Sequence, residues 1–330
     1  MRGRVAIKDG LAVIAAAAGL GMSTLVAGAG PTEVTEPQAE FREHLDVGQV
    51  LLPVVVRTTD GHAQDLRVDD FRLFVDGSQV PIRSLDSDFP APVSVIFLQD
   101  LSGSMAIGGR LATSRQFIDC LLDSGRPQDR YSLVTFGSGR VQVELAFSRD
   151  RELVRKAMTD WRAFGISGIH DALSWMPEVG LETTSKKRAA VLLTDGLDNA
   201  SNLNVKKVRL NLARARMPVF VVALHSRSSD TRSRDNLPLI AMAEESGGRY
   251  FDNPVGSDLA EPCSIISDDL RHQYMLGFSV DASGPRSFRR VEVALARGAR
   301  GTRRQRPTLF HKTGYFGSQP QSPQGGGVQR

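Results

Sequence analysis

Two patterns of apolar and polar positions alternate along the chain. In the first, apolar residues run without a break and stop at a polar turn, as in VSVIFLQDLSGSM at 93–105, RAAVLL at 188–193 and VFVVAL at 219–224. A short continuous run of β-branched, aliphatic and aromatic residues suits a strand of a parallel sheet buried on both faces. In the second, apolar residues recur at helical spacing. Leu111, Ile118, Leu121 and Leu122, with Arg115 on the same face, predict a helix after the first run. Further helices are expected over 151–161, 171–176, 205–216 (bounded by Pro218), 236–246 (stopped by Gly247 and Gly248) and 259–272. RYSLVTF at 130–136 and the segment 141–147 read as strands joined tightly through Gly137, Ser138 and Gly139, which predicts one antiparallel edge strand, and Tyr250–Phe251 reads as a last short strand. Strand and helix therefore alternate over 90–272, predicting an α/β domain with a doubly wound, mostly parallel sheet and right-handed crossovers.

The flanks read differently. VGQVLLPVVVRT at 47–58, then 70–75 and 80–85, are strand-like and separated by turns at Asp60–Gly61 and Asp76–Gly77–Ser78. After the α/β segment, 273–280, 288–296 and 308–315 again alternate like strands. The expectation is a small antiparallel β-domain split in sequence, residues 45–89 and 273–316, with the α/β domain at 90–272 inserted between its halves. Isolated hairpins are marginal in water, so the halves are expected to fold as one unit.

Residues 1–29 have the layout of a secretory signal: Arg2, Arg4 and Lys8, an apolar run from Leu11 to Ala27, and the small-x-small end Ala27-Gly28-Ala29. An uncleaved membrane anchor is the alternative. A polar linker fills 30–44, and 317–330 is a Gln/Pro/Gly/Ser-rich tail with too little apolar surface to order itself. Of the net charge of +4, the leader's Arg2, Arg4, Lys8 and Asp9 carry half. The remainder gives no reason to expect nucleic acid, and membrane contact is expected only through a retained leader. The arginines at 289, 290, 297, 300, 303, 304 and 306 read as the solvated face of a hairpin.

Chemistry enters where the first apolar run ends. Asp100, Ser102 and Ser104 form D-x-S-x-S on a turn at the carboxyl end of a strand, where open α/β sheets bind their ligands. A carboxylate with hydroxyls is an oxygen set for a hard cation such as Mg²⁺; the bland reading is a turn that caps the next helix. Two later segments raise the first reading: GISGIHDAL at 165–173 and VLLTDGLD at 191–198. With these, the chain resembles the von Willebrand factor type A domain. That resemblance implies a metal-ion-dependent adhesion site with Asp100, Ser102 and Ser104 in its first loop. It puts Ser167 at the family's threonine position and Asp195, within Thr194-Asp195-Gly196, in the last loop.

It also implies Mg²⁺ (or Mn²⁺ or Ca²⁺) as the cofactor and a protein partner whose acidic side chain completes the coordination. An envelope structural or assembly factor, its metal only stiffening the loops, is the competing class. The flanking motifs VVVRTTDG (54–61), Leu66, Asp70–Phe71, Asp76–Gly77, YMLGF (274–278) and Gly314–Tyr315 resemble the bacterial VWFA-related, acidobacterial-type proteins.

A Ser–His–Asp hydrolase built from Ser104, His170 and Asp171 is disfavoured, since adjacent His170 and Asp171 point to different sides of a helix and no G-x-S-x-G elbow surrounds Ser104. The chain is therefore read as a binding protein, not an enzyme. Cys120 and Cys263, on the first and last helices of the α/β segment, leave a disulfide and two separate buried thiols equally open.

Overall fold

The computed structural model describes residues 47–225, 236–253, 255–281, 287–302 and 306–316. The expected leader, linker and tail lie outside the described residues.

The chain enters through five strands, β1 (Val47–Thr58), β2 (Gly61–His62), β3 (Phe71–Val75), β4 (Ser78–Val80) and β5 (Ile82–Asp86). It then alternates through β6 (Val93–Asp100), α1 (Arg110–Ser124), β7 (Arg130–Gly137), β8 (Arg140–Ser148) and α2 (Arg151–Thr159). Next come α3 (Ile169–Ser174), α4 (Met176–Val179), β9 (Lys187–Thr194), α5 (Val205–Leu212) and β10 (Val219–Ala223). After α6 (Leu237–Ser246), β11 (Tyr250–Asp252) and α7 (Ala260–Arg271), it leaves through β12 (Tyr274–Asp281), β13 (Phe288–Leu295), β14 (Thr308–His311) and β15 (Gly314–Phe316).

The α/β segment is doubly wound. Its sheet has the order β11-β10-β9-β6-β7-β8, parallel except for the antiparallel edge pair β7–β8. Side chains of a strand alternate between faces, and both faces of β6 are covered. Val95 and Phe97 pack with Phe117, Ile118 and Leu122 of α1 and Ile266 and Leu270 of α7, while Ile96 and Leu98 pack with Leu173, Val208 and Met242 on the other side. That two-sided burial is why the run from Val95 to Leu98 is wholly apolar up to Gln99 and Asp100.

The flanking strands form two sheets, each with strands from both sides of the α/β segment. One has the order β14-β1-β12-β5 with β2 beside β1; the other runs β15-β13-β3-β4. Leu52, Val54 and Val56 of β1 and Leu276 and Phe278 of β12 share a core with Phe71, Leu73 and Val75 of β3 and Val291 and Val293 of β13. A half-apolar sheet must cover its apolar face, and here each sheet covers the other. The segment 308–315, read from sequence as one strand, breaks at Lys312–Thr313: β14 pairs with β1 and β15 with β13, so the break carries the chain from one sheet to the other. The helix expected over 205–216 ends at Leu212, and the chain turns through buried Ala213, Ala215 and Met217 to reach Pro218 and β10.

Contacts on α7 join the two regions. Asp269, buried on that helix, accepts from Arg57 Nη1 at 3.2 Å and lies 2.8 Å from His62 Nε2, both from the first sheet. Cys263 of α7 is bridged to Cys120 of α1, Cα atoms 6.4 Å apart. This resolves the open question about the two cysteines.

Candidate metal centre

Three loops meet at the carboxyl end of the parallel sheet, each leaving an apolar strand or opening a helix. The first follows β6, the second leads into α3, and the third follows β9. Backbone hydrogen bonds tie them together: Gly103 N donates to Gly165 O at 2.9 Å, Phe164 N to Leu101 O at 2.9 Å, and Asn199 N and Ala200 N to Ser167 O at 3.1 and 2.9 Å. Two glycines are required for this approach. Gly165 has φ +77°, and a Cβ there would lie 1.9 Å from Ser138 Oγ; Gly196 has φ +88°, and its Cβ would lie 2.4 Å from Asn236 Oδ1.

Asp100 is the centre of the hydrogen bonding. Its Oδ1 accepts from Ser102 N at 2.8 Å, and its Oδ2 accepts from Ser167 Oγ at 2.9 Å and from Thr194 Oγ1 at 2.6 Å. Burial nevertheless pushes the carboxyl above the usual range, because desolvation of the charge outweighs the donors from Thr194, Ser102 and Ser167. Ser102 Oγ and Ser104 Oγ stand 3.1 Å apart. Asp195 follows Thr194 directly. Its Oδ1 accepts from Leu197 N at 3.3 Å, whereas its Oδ2 is buried without a hydrogen-bond partner among the described residues. Among the described residues the cation paired with that oxygen is Arg110, with Nη1 3.5 Å away, and the same nitrogen donates to Ser104 O at 2.7 Å.

The structure thus links Asp100, Ser102, Ser104 and Ser167 directly, and brings Asp195 in through Thr194 and Arg110. The donor set suits a hard cation on two observations. A buried carboxylate oxygen left without a donor is costly unless something cationic uses it. Two oxygens at right angles around one Mg²⁺ would stand roughly 2.9 Å apart, close to the spacing of the two serine hydroxyls. Among the described residues no three His, Cys, Asp or Glu side chains cluster as metal ligands, so any cation here would rest on two carboxylates and hydroxyls.

Sequence reading did not single out Thr194 or Arg110. Thr194 carried a signal, a hydroxyl placed where an apolar strand ends. Arg110 carried none, because only the fold turns the first residue of α1 toward the third loop. The hydrolase arrangement is not assembled. His170 Nδ1 lies 2.7 Å from Asp198 Oδ2, while Asp171 accepts from Asn202 N and Leu203 N, both at 2.9 Å. Burial would push Asp198 up, but its hydrogen bonds to His170 and Ser201 hold it at about 2.

The family model for the von Willebrand factor type A domain matches residues 95–197. No curated protein matches. Among solved structures, the chain is similar to BatB from Bacteroides thetaiotaomicron, at 18% identity over 54% of this chain and 97% of that one, with a TM-score of 0.45. It is also similar to a von Willebrand factor type A protein from Catenulispora acidiphila, at 13% identity, 76% and 75% coverage and a TM-score of 0.47. A third is the vWF domain of the type V pili tip protein Mfa5 from Porphyromonas gingivalis, at 12% identity, 54% and 94% coverage and a TM-score of 0.43. With the family match falling across β6 to β9 and on the loops that hold Asp100, Ser102, Ser104, Ser167 and Asp195, the chain contains a von Willebrand factor type A domain.

Proposed function

We propose that the chain binds a protein partner through a divalent cation, Mg²⁺ or Mn²⁺, held at the carboxyl end of the sheet. The observation that carries the reading is Asp195 Oδ2, buried and without a donor among the described residues, joined through Arg110 to the loop that holds the paired hydroxyls of Ser102 and Ser104. Those two hydroxyls and Asp195 would hold the ion, and Asp100, which accepts from Ser102 N, Ser167 and Thr194, would fix the loop and add negative charge behind it. Bound there, the cation would supply an electrophilic position for one more carboxylate, since two protein carboxylates leave octahedral positions to water. Ser167 donates its hydroxyl hydrogen to Asp100 in this arrangement, which leaves the oxygen's lone pairs to join the coordination without giving up that bond.

Export to the cell envelope or beyond belongs to the same proposal and rests on the signal-like residues 1–29. Among the described residues no helix is long and apolar enough to cross a membrane.

Arg110 favours a second reading. Its guanidinium already faces Asp195, so the site could serve as a stiffened structural joint, with any metal only stabilising the loops. Calorimetry separates the readings. Adhesion through the metal requires one Mn²⁺ per chain, binding abolished in Asp100→Ala and Asp195→Ala, and partner capture lost in EDTA. Unchanged Mn²⁺ binding in Asp195→Ala removes the metal site, and capture that survives EDTA leaves the structural reading.

A further inference from the structure

The chain crosses from one flanking sheet to the other at His311, Lys312 and Thr313, between β14 and β15. The fold holds both titratable side chains of this crossing without charge. His311 Nε2 accepts from Val293 N at 3.2 Å, and its Nδ1 lies 2.9 Å from Lys312 O. A backbone N–H only donates and a carbonyl only accepts, so the ring is the neutral form with its proton on Nδ1. Lys312 is buried, and its Nζ donates to Ala215 O in the turn after α5. We infer that this crossing is an acid-operated clasp between the flanking sheets and the α/β segment, closed while His311 and Lys312 are neutral and released as they take up protons.

The crossing is the contact itself. Besides the Lys312 bond, Thr313 N donates to Glu245 O, near the end of α6, at 3.0 Å. Thr313 and Gly314 also wall a cavity of about 250 Å³ whose apolar side is Leu210, Met242 and Phe288, so release uncovers apolar surface.

The surroundings offer a new positive charge little compensation. Arg216, on the same turn as Ala215, opposes the Lys312 ammonium, and Arg249 lies over the Phe310 ring of β14, 4.9 Å from its centroid. The acids nearby are engaged or too weak. Both oxygens of Glu245 accept from Arg209, and Asp269 of α7 faces Arg57, His62 and Arg249. Glu292 of β13 favours protonated His311, as does the bond to Lys312 O, but burial outweighs both and keeps that ring below its ordinary value. Burial likewise brings the Lys312 amine down to about 7.

An unconstrained lysine titrates near about 10.4 and a histidine near about 6.5, so the released crossing binds protons that the closed one does not. For Lys312 that difference spans roughly pH 7 to 10, and for His311 it begins below about pH 6.5. The two groups therefore favour the closed form most at alkaline pH, and the preference is lost toward acid. One proton of difference makes the opening constant rise about tenfold for each pH unit lost in the Lys312 window.

The test is hydrogen exchange of peptides covering 308–316 in the full chain, corrected for intrinsic exchange rates. It is run in EDTA, so that the proposed cation site contributes nothing. Wild type should lose protection about tenfold per unit between about pH 9 and 7 and lose more below about pH 6.5. Lys312→Met, of similar length and without charge, should lose the first dependence and raise the urea midpoint at pH 7. His311→Gln, which can still accept from Val293 N, should lose the second. A Lys312→Met variant that keeps the wild-type dependence, or that unfolds at lower urea at pH 7, overturns the clasp. The same pH dependence in peptides from α1 would assign the change to the whole fold and overturn it as well.

Discussion

Thr194 offers the sharpest test of how the site is held. Its hydroxyl donates to Asp100 Oδ2 at 2.6 Å, and both residues are fully buried. Replacing Thr194 with Val keeps the shape and removes one of three donors from a carboxylate that water does not reach. A hydrogen bond to a charged group contributes about 1.5–3 kcal/mol, and leaving a buried acceptor short of a donor costs in the same range. Thr194→Val should therefore lower unfolding free energy by about 2 kcal/mol at pH 7 in chelator, roughly a thirtyfold shift in the folding equilibrium. Thr194→Ser is the control. It keeps the hydroxyl and loses one buried methyl, worth about 0.8 kcal/mol. Urea unfolding followed by far-ultraviolet circular dichroism reads both. A loss below about 0.5 kcal/mol in the valine variant, or an equal loss in the serine variant, would refute the account of Asp100 as a carboxylate held by its donors.

Two other outcomes follow from the frame around the site. The Cys120–Cys263 bridge spans 143 residues and ties α1 to α7; Cys120→Ala with Cys263→Ala should cost about 2–5 kcal/mol, and an unmoved urea midpoint would remove the bridge from the stability of the fold. Asp129 is buried; desolvation raises its carboxyl, but Arg271 and the backbone N–H groups of Arg126 and Val93 outweigh that and leave it below its ordinary value. A depressed carboxyl contributes stability that is present above the unfolded value of about 3.9 and is lost as pH falls through the folded one. Asp129→Asn should thus weaken the chain at pH 7 and flatten its acid limb below about pH 4, and urea midpoints that keep the wild-type acid slope would contradict this.

What the sequence determined by itself is what local chemistry can specify. The nearly continuous apolar runs at 93–98, 188–193 and 219–224 named the buried strands, because a strand covered on both faces has few places for a polar residue; the buried Ser94 is held by hydrogen bonds to Thr183 and Ser185. The D-x-S-x-S turn, Ser167 and Asp195 were legible because each closes or opens an element that periodicity had already placed. The fold class followed from the order of those elements. The tertiary structure decided whatever depended on which distant surfaces meet. The flanking strands form two sheets because the apolar faces of β1 and β3 cover one another, and hydrophobic alternation states that a face is buried without saying against what. The cysteines pair because α1 and α7 lie side by side, a distance no spacing in the sequence encodes. Thr194 and Arg110 joined the site for the same reason. A hydroxyl at a strand end and a guanidinium at a helix start are ordinary surface chemistry until packing aims one at Asp100 and brings the other to 3.5 Å from Asp195.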